Sequence, residues 1–501
     1  MKSNQIFLNP NKLVKFLKKH PNEFTRYDIM KFIDGNNIKM LNLRYVAEDG
    51  KLKTLNFVIN SMEHLEHILC TGERVDGSSL FSYIETGKSD LYIIPRFKTA
   101  FVNPFSEIPT LDILCSFYTR SGLAWDSAPE FILRKAHKEL KKNTGFTFKA
   151  MGELEYYIIG PKRSLYPAKD QKAYHTSSPF TNWEHLRTEA INIISEIGGK
   201  IKYGHSEVGN FFTETKEFEQ HEIEFLPVDV EDAADQLVLA KWVLRMLGEK
   251  YGVTISFAPK ITVGKAGSGL HIHFFLEKDG KNLMIENKEL SDTAKKSIAG
   301  LMKFSKVLTA FGNTIPTSYL RLVPHQEAPT NICWGDYNRS VLVRVPLGWV
   351  AETQMIKDAN PNEKYEVPYV EGKQTVELRS PDGSADIYHL LASMILAVEQ
   401  GLKEENSLKI AEETYVAVNI FDKNFKDKLK NLEKLPKSCW ESADELKKSR
   451  EFFEKNGVFP KRTINGFIKM LKSYHDEDLS ERLYDKNEQI KDLVEMYIHT
   501  M

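Results

Sequence analysis

Acidic and histidine side chains recur at every second position along several short apolar segments of the chain. Side chains alternate between the two faces of a β-strand, so residues two apart share a face. The pairs are Glu153 with Glu155, Glu222 with Glu224, His271 with His273, and Glu377 with Arg379. Any one of these strands could be a half-exposed sheet edge. Their repetition favours a sheet whose polar face lines a pocket, with Glu207 added from a predicted strand end.

A pocket lined by several carboxylates needs cations, because buried like charges repel one another. Hard oxygen ligands with one or two imidazoles and no thiolate are typical of Mg²⁺ or Mn²⁺ sites. The four cysteines are scattered and form no CxxC motif, which argues against a zinc–cysteine site and a disulfide framework. The pattern therefore predicts a site for hard divalent cations.

The segment Tyr319–Pro346 adds Arg321, Arg339 and Arg344, together with the isolated acid Glu327. A guanidinium group binds carboxylates and phosphates through two parallel hydrogen bonds, so three arginines suggest an anionic substrate. For any single arginine, a structural salt bridge is the more ordinary explanation. Divalent cations opposite arginines are typical of phosphoryl transfer. The chain has neither a GxxxxGK[ST] loop nor a GxGxxG motif, which argues against a P-loop fold.

Two domains are predicted to position these residues, one over residues 1–122 and a second over residues 123–501. The first is mixed, and its turn at Val75–Ser79 carries Asp76 in what is by itself an ordinary Asx-turn. Its predicted helices are Asn11–His20 and Glu23–Ile33, and its predicted strands are Lys39–Tyr45, Leu52–Ile59, Asp90–Pro95 and Leu111–Tyr118. The second begins with a predicted helix, Phe131–Asn143. Its predicted strands are Met151–Ile159, Gln220–Phe225, Gly269–Leu276, Val341–Val345 and Thr375–Arg379.

Composition is that of an ordinary soluble globular protein, with 27% charged and 42% hydrophobic residues. Lysine and arginine number 68 against 69 aspartates and glutamates, a formal net charge of -1. That balance gives no support to a nucleic-acid or anionic-membrane partner. No apolar run approaches the roughly 20 residues of a membrane-spanning helix, and no signal peptide is evident, so we expect a cytoplasmic protein.

Taken together and in order, these motifs resemble those of the glutamine synthetase family, of the bacterial and archaeal type. The motifs are Asp76–Ser79, GELEYY, SEVG followed by QHE, FAPK with GSGLHIH, RLVP with QEAP, NRSVLVR and ELRSPD. They run from Asp76 to Asp382, and although each alone is weak, the set is highly specific.

The resemblance implies an α+β fold. An N-terminal β-grasp-like domain would precede a catalytic domain built on an antiparallel, barrel-like sheet flanked by helices. It also implies rings of six subunits, stacked in pairs as a dodecamer, with each site shared between neighbours. The implied reaction joins ammonia to the γ-carboxylate of glutamate at the expense of ATP, with Mg²⁺ or Mn²⁺ bound at the site.

The resemblance assigns roles to individual residues. One metal set is Glu155, Glu207 and Glu222, and the other is Glu153, His271 and Glu377. The implied substrate-binding residues are Arg321, Arg379, Gly267, Tyr174 and Asp90. The implied nucleotide-binding residues are Arg339, Arg344, His273 and Lys373. The implied catalytic residues are Asp76, reaching in from an adjacent subunit to bind ammonium, Glu327 as the acid of a closing flap, and Arg339.

Several positions depart from the family pattern and keep alternatives open. The departures are the long connection between Glu207 and Glu222, Ala266 for an asparagine, Phe275 for a serine, Thr375 for a basic residue, and His325–Gln326 for a glycine–aromatic pair. A γ-glutamyl ligase acting on a polyamine or an ethanolamine-like amine is one alternative. A catalytically silent ring-forming protein is another, disfavoured by six intact ligand positions. The segment 421–426 has no tyrosine, so regulation by adenylylation there is not expected.

Overall fold

The structure, a computed structural model, describes residues 8–84, 89–163, 165–166, 168–323, 328–348, 353–366, 373–417, 432–483 and 486–500. Two large apolar cores organise these residues. One lies in the N-terminal part, and the other lies between the second sheet and its helices.

The N-terminal part is a mixed sheet with three helices. Its strands follow the order β2-β1-β6-β4-β3, with β5 paired to β6, and β1 runs parallel to β6 while the other pairs are antiparallel. The strands are β1 Met40–Val46, β2 Leu52–Val58, β3 Glu73–Asp76, β4 Asp90–Pro95, β5 Phe101–Val102 and β6 Thr110–Thr119. The helices are α1 Lys12–Leu17, α2 Arg26–Gly35 and α3 Met62–Thr71. The predicted helices and strands of this domain are confirmed, with shifted ends, and α3 and the short strands β3 and β5 were not predicted.

A ten-stranded curled sheet forms the centre of the second part, in the order β16-β17-β18-β12-β7-β9-β8. Its main strands are β7 Thr147–Pro161, β8 Ile201–Phe212, β9 Lys216–Phe225, β12 Leu270–Lys278, β16 Trp334–Asp336, β17 Val343–Val345 and β18 Val376–Leu378. Short strands β10 Val228–Asp229 and β11 Thr254–Ser256 pair with β7, and β13 Lys281–Asn282 pairs with β12. A separate hairpin joins β14 Ile285–Glu286 to β15 Glu289–Leu290. All pairs are antiparallel except β16 with β17.

Helices cover the outer face of this sheet. They are α4 Pro129–Thr144, α5 Glu184–Glu196, α6 Val230–Tyr251, α7 Asp292–Gly312, α8 Ser318–Arg321, α9 Thr353–Ala359, α10 Ile387–Lys403, α11 Ser407–Glu413, α12 Cys439–Lys448, α13 Arg450–Glu454, α14 Lys461–Lys472, α15 Leu479–Arg482 and α16 Asn487–Met496. The buried helix α6 packs directly on β7. A Cβ at Gly152 would lie 2.7 Å from Leu237 Cδ2, so glycine lets α6 approach the strand that carries Glu153 and Glu155. Among the described residues, no helix is both long and apolar enough to cross a membrane.

One expectation about the segment around Glu207 is wrong. Glu207 lies inside the long strand β8 and not at a strand end. The long connection between Glu207 and Glu222 forms paired strands of a β8–β9 hairpin, in which the chain turns back at 213–215. The boundary between residues 122 and 123 stays a prediction.

Candidate active site

Register in the curled sheet brings the predicted polar positions to one face. Glu153 lies opposite His271 on β12 and opposite Glu224 on β9. Glu155 lies opposite Glu222, and Glu377 lies opposite His273. The predicted polar-lined pocket is therefore present, as a cavity of about 590 Å³ that all of these side chains except that of Glu377 line together.

Imidazoles and carboxylates are in direct contact on this wall. His273 Nε2 lies 2.8 Å from Glu153 Oε1, and His271 Nδ1 lies 3.1 Å from Glu153 Oε2. His205, from β8, places Nε2 3.1 Å from Glu222 Oε2. Three groups, each with ligand atoms within 4.8 Å of one another, result: Glu153 with His273 and Glu377, Glu153 with Glu222 and His271, and His205 with Glu222 and Glu224.

Burial and charge crowding shift the pKa values of these acids in opposite directions. Burial raises the pKa of Glu222 well above its ordinary value, and the neighbouring Glu153 raises it further. Burial alone would also raise the pKa of Glu153, but His273 and His271 hold it well below its ordinary value. Buried carboxylates that cannot all ionise together are relieved by a divalent cation. The oxygen-rich donor set with imidazoles fits Mg²⁺ or Mn²⁺, as expected.

Arg339, Arg344 and Arg379 line the same cavity as the carboxylates. Arg379 pairs with Glu377, and Arg344 Nη1 lies 3.1 Å from Glu377 Oε2. Burial alone would raise the pKa of Glu377, but the charge of Arg379 lowers it. The guanidinium of Arg339 lies 5.8 Å from the ring centre of Tyr174. Guanidinium groups and carboxylates thus line one cavity that is large enough for a charged ligand.

A bulge in β8 sets the position of Glu207. Ser206 pairs with His221 and Asn210 pairs with Glu219, so β8 uses more residues than β9 over this span. Bulges of this kind redirect side chains and are common beside functional sites. The bulge occurs where the chain must bring Glu207 into the cavity lined by Glu222.

A second cavity of about 310 Å³ opens beside the first and shares part of its lining. Of the predicted substrate-binding residues, Arg321, Arg379 and Gly267 line it. The first cavity is lined by five of the six predicted metal ligands (Glu153, Glu155, Glu207, Glu222 and His271), by Tyr174 and Arg379, and by the predicted nucleotide-binding residues Arg339, Arg344, His273 and Lys373. The sixth predicted ligand, Glu377, is buried and pairs with the lining residues Arg344 and Arg379.

Two of the predicted catalytic and substrate-binding residues do not line these cavities. Asp76 and Asp90 are exposed residues of the N-terminal sheet, where they lie opposite each other on β3 and β4. Neither lines the two cavities among the described residues. Glu327 lies outside the described residues, so its predicted role stays a prediction.

Sequence reasoning placed Glu224 on the polar face but gave no role to several other residues of the two cavities: Lys172, Lys202, Tyr203, His205 and Gln220. The same period of two could have found most of them. Tyr203 and His205 lie four and two residues before Glu207 on β8, and Gln220 lies two residues before Glu222 on β9. Lys202 and Tyr203 both contact Glu224, with Lys202 Nζ 2.6 Å from its Oε2. Lys172 had no periodic signal, since it lies in irregular chain.

A family model described as the glutamine synthetase catalytic domain matches residues 126–487, and one described as the glutamine synthetase beta-Grasp domain matches residues 37–120. The chain belongs to the glutamine synthetase family. The predicted resemblance and fold class are therefore confirmed.

Curated relatives of the family match over most of the chain. The glutamine synthetase of Clostridium saccharobutylicum is 28% identical over 436 residues, which cover 85% of this chain and 90% of the relative. That of Rhizobium meliloti is 28% identical over 483 residues, with 89% and 95% covered. Family membership is thus supported along nearly the whole sequence.

Solved structures of the family share the fold at lower identity. Plasmodium falciparum glutamine synthetase superposes with a TM-score of 0.73 at 21% identity, covering 93% of this chain and 97% of that one. A structure titled as a GmaS/ADP complex gives a TM-score of 0.71 at 18% identity, with 92% and 98% covered. These likenesses extend to the fold.

Proposed function

We propose that this chain is an ATP-dependent ligase that joins ammonia to the γ-carboxylate of glutamate, giving glutamine, ADP and phosphate. The observation that carries the proposal is the cavity that carboxylates and histidines line together with Arg339, Arg344 and Arg379. That pairing of a cation-binding wall with anion-binding arginines suits phosphoryl transfer. Membership of the glutamine synthetase family supports the same reaction.

Two sets of side chains hold divalent cations in this proposal. They are Glu155, Glu207 and Glu222 for one Mg²⁺ or Mn²⁺ ion, and Glu153, His271 and Glu377 for another. Bound there, the cations neutralise charge on the phosphates of ATP. The donor types and the crowding of carboxylates support this arrangement.

The chemistry requires activation of a carboxylate, which is a poor electrophile because its charge repels nucleophiles. ATP transfers its γ-phosphoryl group to the γ-carboxylate, forming γ-glutamyl phosphate and ADP. Ammonia then attacks the acyl carbon and expels phosphate. Arg339 and Arg344, with His273 and Lys373, bind the nucleotide and stabilise the charge of the transferring group.

The second cavity receives glutamate, which Arg321, Arg379 and Gly267 bind. Tyr174, which lines the first cavity, contacts the amine. Asp76 and Asp90 of an adjacent subunit approach the amine, and Asp76 takes the proton of ammonium. Glu327 closes over the acyl phosphate and excludes water, which would otherwise hydrolyse it.

Metal removal and one substitution test the proposal. We expect glutamate-dependent phosphate release to stop on chelation and to return with Mg²⁺ or Mn²⁺. Glu155→Gln keeps the side-chain shape but removes a charged ligand, so activity should fall at least about a hundredfold in a folded protein. Glu249→Gln, an exposed acid of α6, is the control. Full activity in the Glu155 variant would contradict the metal sets.

A second candidate, ligation of a larger amine, is favoured by one observation. The exposed ring of Tyr174 stacks on His175 with centroids 4.1 Å apart, and both rings lie near His205. Exposed aromatic faces can bind alkylammonium groups through cation–π contacts. Measuring amide formation with ammonium, putrescine and ethanolamine decides between the two, and faster turnover with either larger amine would overturn the ammonia proposal.

A further inference from the structure

The second cavity, of about 310 Å³, is lined by residues of two kinds. Glu155 and Glu207 of the carboxylate wall, and Arg379, line both this cavity and the first. Lys172 and Lys265 line it as well, and both belong to irregular chain outside the sheet. The size suits a small polar ligand.

The basic side chains of this cavity differ in how far their donors are already used. Arg321 donates from Nη1 to the carbonyl oxygens of Ser380 and Pro381, at 2.9 and 3.3 Å, and from Nη2 to that of Arg379, at 3.2 Å. Both terminal nitrogens of the Arg321 guanidinium group therefore already donate to backbone carbonyls.

The side chains of Arg379 and Lys265 are also engaged in ion pairs. Arg379 is paired with Glu377, and Lys265 is paired with Asp170. Within the part of the chain that the structure describes, the ammonium group of Lys172 contacts no acid and no hydrogen-bond acceptor. Lys172 is thus the basic lining residue whose charge is available for a ligand.

The backbone on both sides of Lys172 is fixed by the β8–β9 hairpin. The Lys172 amide donates to Asn210 Oδ1 at 3.0 Å, and the Gln171 amide donates to the Asn210 carbonyl at 3.0 Å. Gln171 Oε1 also accepts from the Ala266 amide at 2.8 Å, which ties this segment to the cavity wall. The backbone of Lys172 is therefore held in place by these hydrogen bonds, while its flexible side chain can adapt to a ligand.

We propose that Lys172 is a specificity-determining residue that binds the α-carboxylate of the amino-acid substrate. This rests on the proposed function, in which the γ-carboxylate points toward Arg379 and the nucleotide. Lys172 lines the second cavity and not the first, so its unused charge is available to the other end of a substrate held in that way. Lys172 thereby selects an acid with a second carboxylate over a simple monocarboxylate.

Equilibrium binding of glutamate to the full chain, with Mg²⁺ and a non-hydrolysable ATP analogue, tests the inference. Lys172→Met should raise the dissociation constant for glutamate about tenfold, as expected for loss of a charge-assisted hydrogen bond. Lys172→Arg should restore most of the affinity. Lys169→Met, which removes an exposed charge three residues away and outside both cavities, should leave the affinity unchanged.

A substrate analogue separates recognition of the α-carboxylate from a general loss of structure. 4-Aminobutyrate keeps the carboxylate that is to be phosphorylated and lacks the α-carboxylate. 4-Aminobutyrate should bind more weakly than glutamate. Its dissociation constant, measured by competition, should be the same for Lys172→Met as for the unsubstituted chain. Equal losses for glutamate and 4-aminobutyrate, or a glutamate affinity like that of Lys169→Met, would overturn the inference. If the chain binds glutamate but does not turn it over, the proposed function is overturned. The ratio of the dissociation constants of Lys172→Met and the unsubstituted chain would still test the role of Lys172.

Discussion

Gln220, a buried neutral residue, connects three parts of the charged cavity wall. Its Oε1 accepts from the Gly209 amide at 3.0 Å, and its Nε2 donates to the Gly267 carbonyl at 2.9 Å and to Glu155 Oε2 at 3.3 Å. A Cβ at Gly209 would lie 2.1 Å from the Tyr157 hydroxyl, so the bulge of β8 can pass there only with glycine. One amide side chain thus holds a predicted metal ligand, the β8 bulge and a predicted substrate-binding turn together.

Gln220→Leu tests this positioning role. The variant keeps an apolar side chain of similar size but leaves the Gly209 amide and the Gly267 carbonyl unpaired, at about 1–3 kcal/mol each. We expect a lower melting temperature and a rise of at least about tenfold in the Mg²⁺ concentration needed for half-maximal activity. A purely structural role would lower stability and leave the metal dependence unchanged.

At the scale of elements, the β8–β9 hairpin supports the irregular segment that carries Lys172 and Tyr174. Glu219 accepts from the Thr181 hydroxyl at 2.8 Å and from the Asn182 amide at 2.8 Å. Glu217 accepts from the Trp183 indole at 3.1 Å. The long connection that distinguishes this sequence therefore provides buried acceptors for a segment with few backbone partners of its own.

Helix α6 contains a buried lysine, Lys241, and its pKa leads us to predict that the free energy of unfolding depends on pH. Lys241 Nζ donates to the Gly383 carbonyl at 2.6 Å, and burial, with Arg245 nearby, lowers the pKa of Lys241 to about 7. A base whose pKa is depressed in the folded state binds fewer protons there than in the unfolded chain. Its contribution to stability therefore rises between about pH 7 and the unfolded value of 10.5, and is lost as pH falls through 7.

Lys241→Met removes this titration. The melting temperature of the unsubstituted chain minus that of the variant should increase as pH rises from 7 to 10, reflecting on the order of a few kcal/mol over the window. Thermal unfolding at several pH values measures it. Lys138→Met, at an exposed position of α4, should give a difference that does not vary with pH. A flat profile for Lys241→Met would contradict the depressed pKa.

At the scale of the whole molecule, the N-terminal sheet holds Asp76 away from the cavities of its own chain. Hydrogen bonds from Ser79, Ser78 and Ser89 hold the pKa of Asp76 well below its ordinary value, so its carboxylate is charged at neutral pH. The two parts of the chain are joined through ion pairs, including Arg96 with Asp235 at 2.7 Å. An Asp76 that acts in catalysis must therefore reach the cavity of another subunit.

Mixing two inactive variants tests a shared site in the proposed ring. Asp76→Ala and Glu377→Ala each remove one contribution, and subunits exchanged between them would form some sites with both residues intact. We expect partial recovery of glutamate-dependent phosphate release after mixing. Size-exclusion chromatography of tagged subunits monitors exchange. Demonstrated exchange without recovered activity would argue against a site shared between subunits.

The sequence by itself predicted most of the acids, histidines and arginines that line the main cavity. Period-two placement of acids and histidines on β7, β9 and β12 predicts a shared polar face because strand geometry is local and regular. The family motifs then predicted the β-grasp and catalytic domains. Such features could be predicted because each depends on residues close together in the chain.

Tertiary structure decided what depends on pairing between distant segments. The local sequence pattern had assigned Glu207 to a strand end. The register of β8 against β9 places it inside a bulged strand. The roles of Gln220 and Lys172 depend on which donors and acceptors their neighbours have already used, and those neighbours lie up to 65 residues from Gln220 in sequence. Periodicity cannot reveal such partners, because long-range hydrogen bonds and charge pairing are fixed only when the sheet and its hairpin assemble.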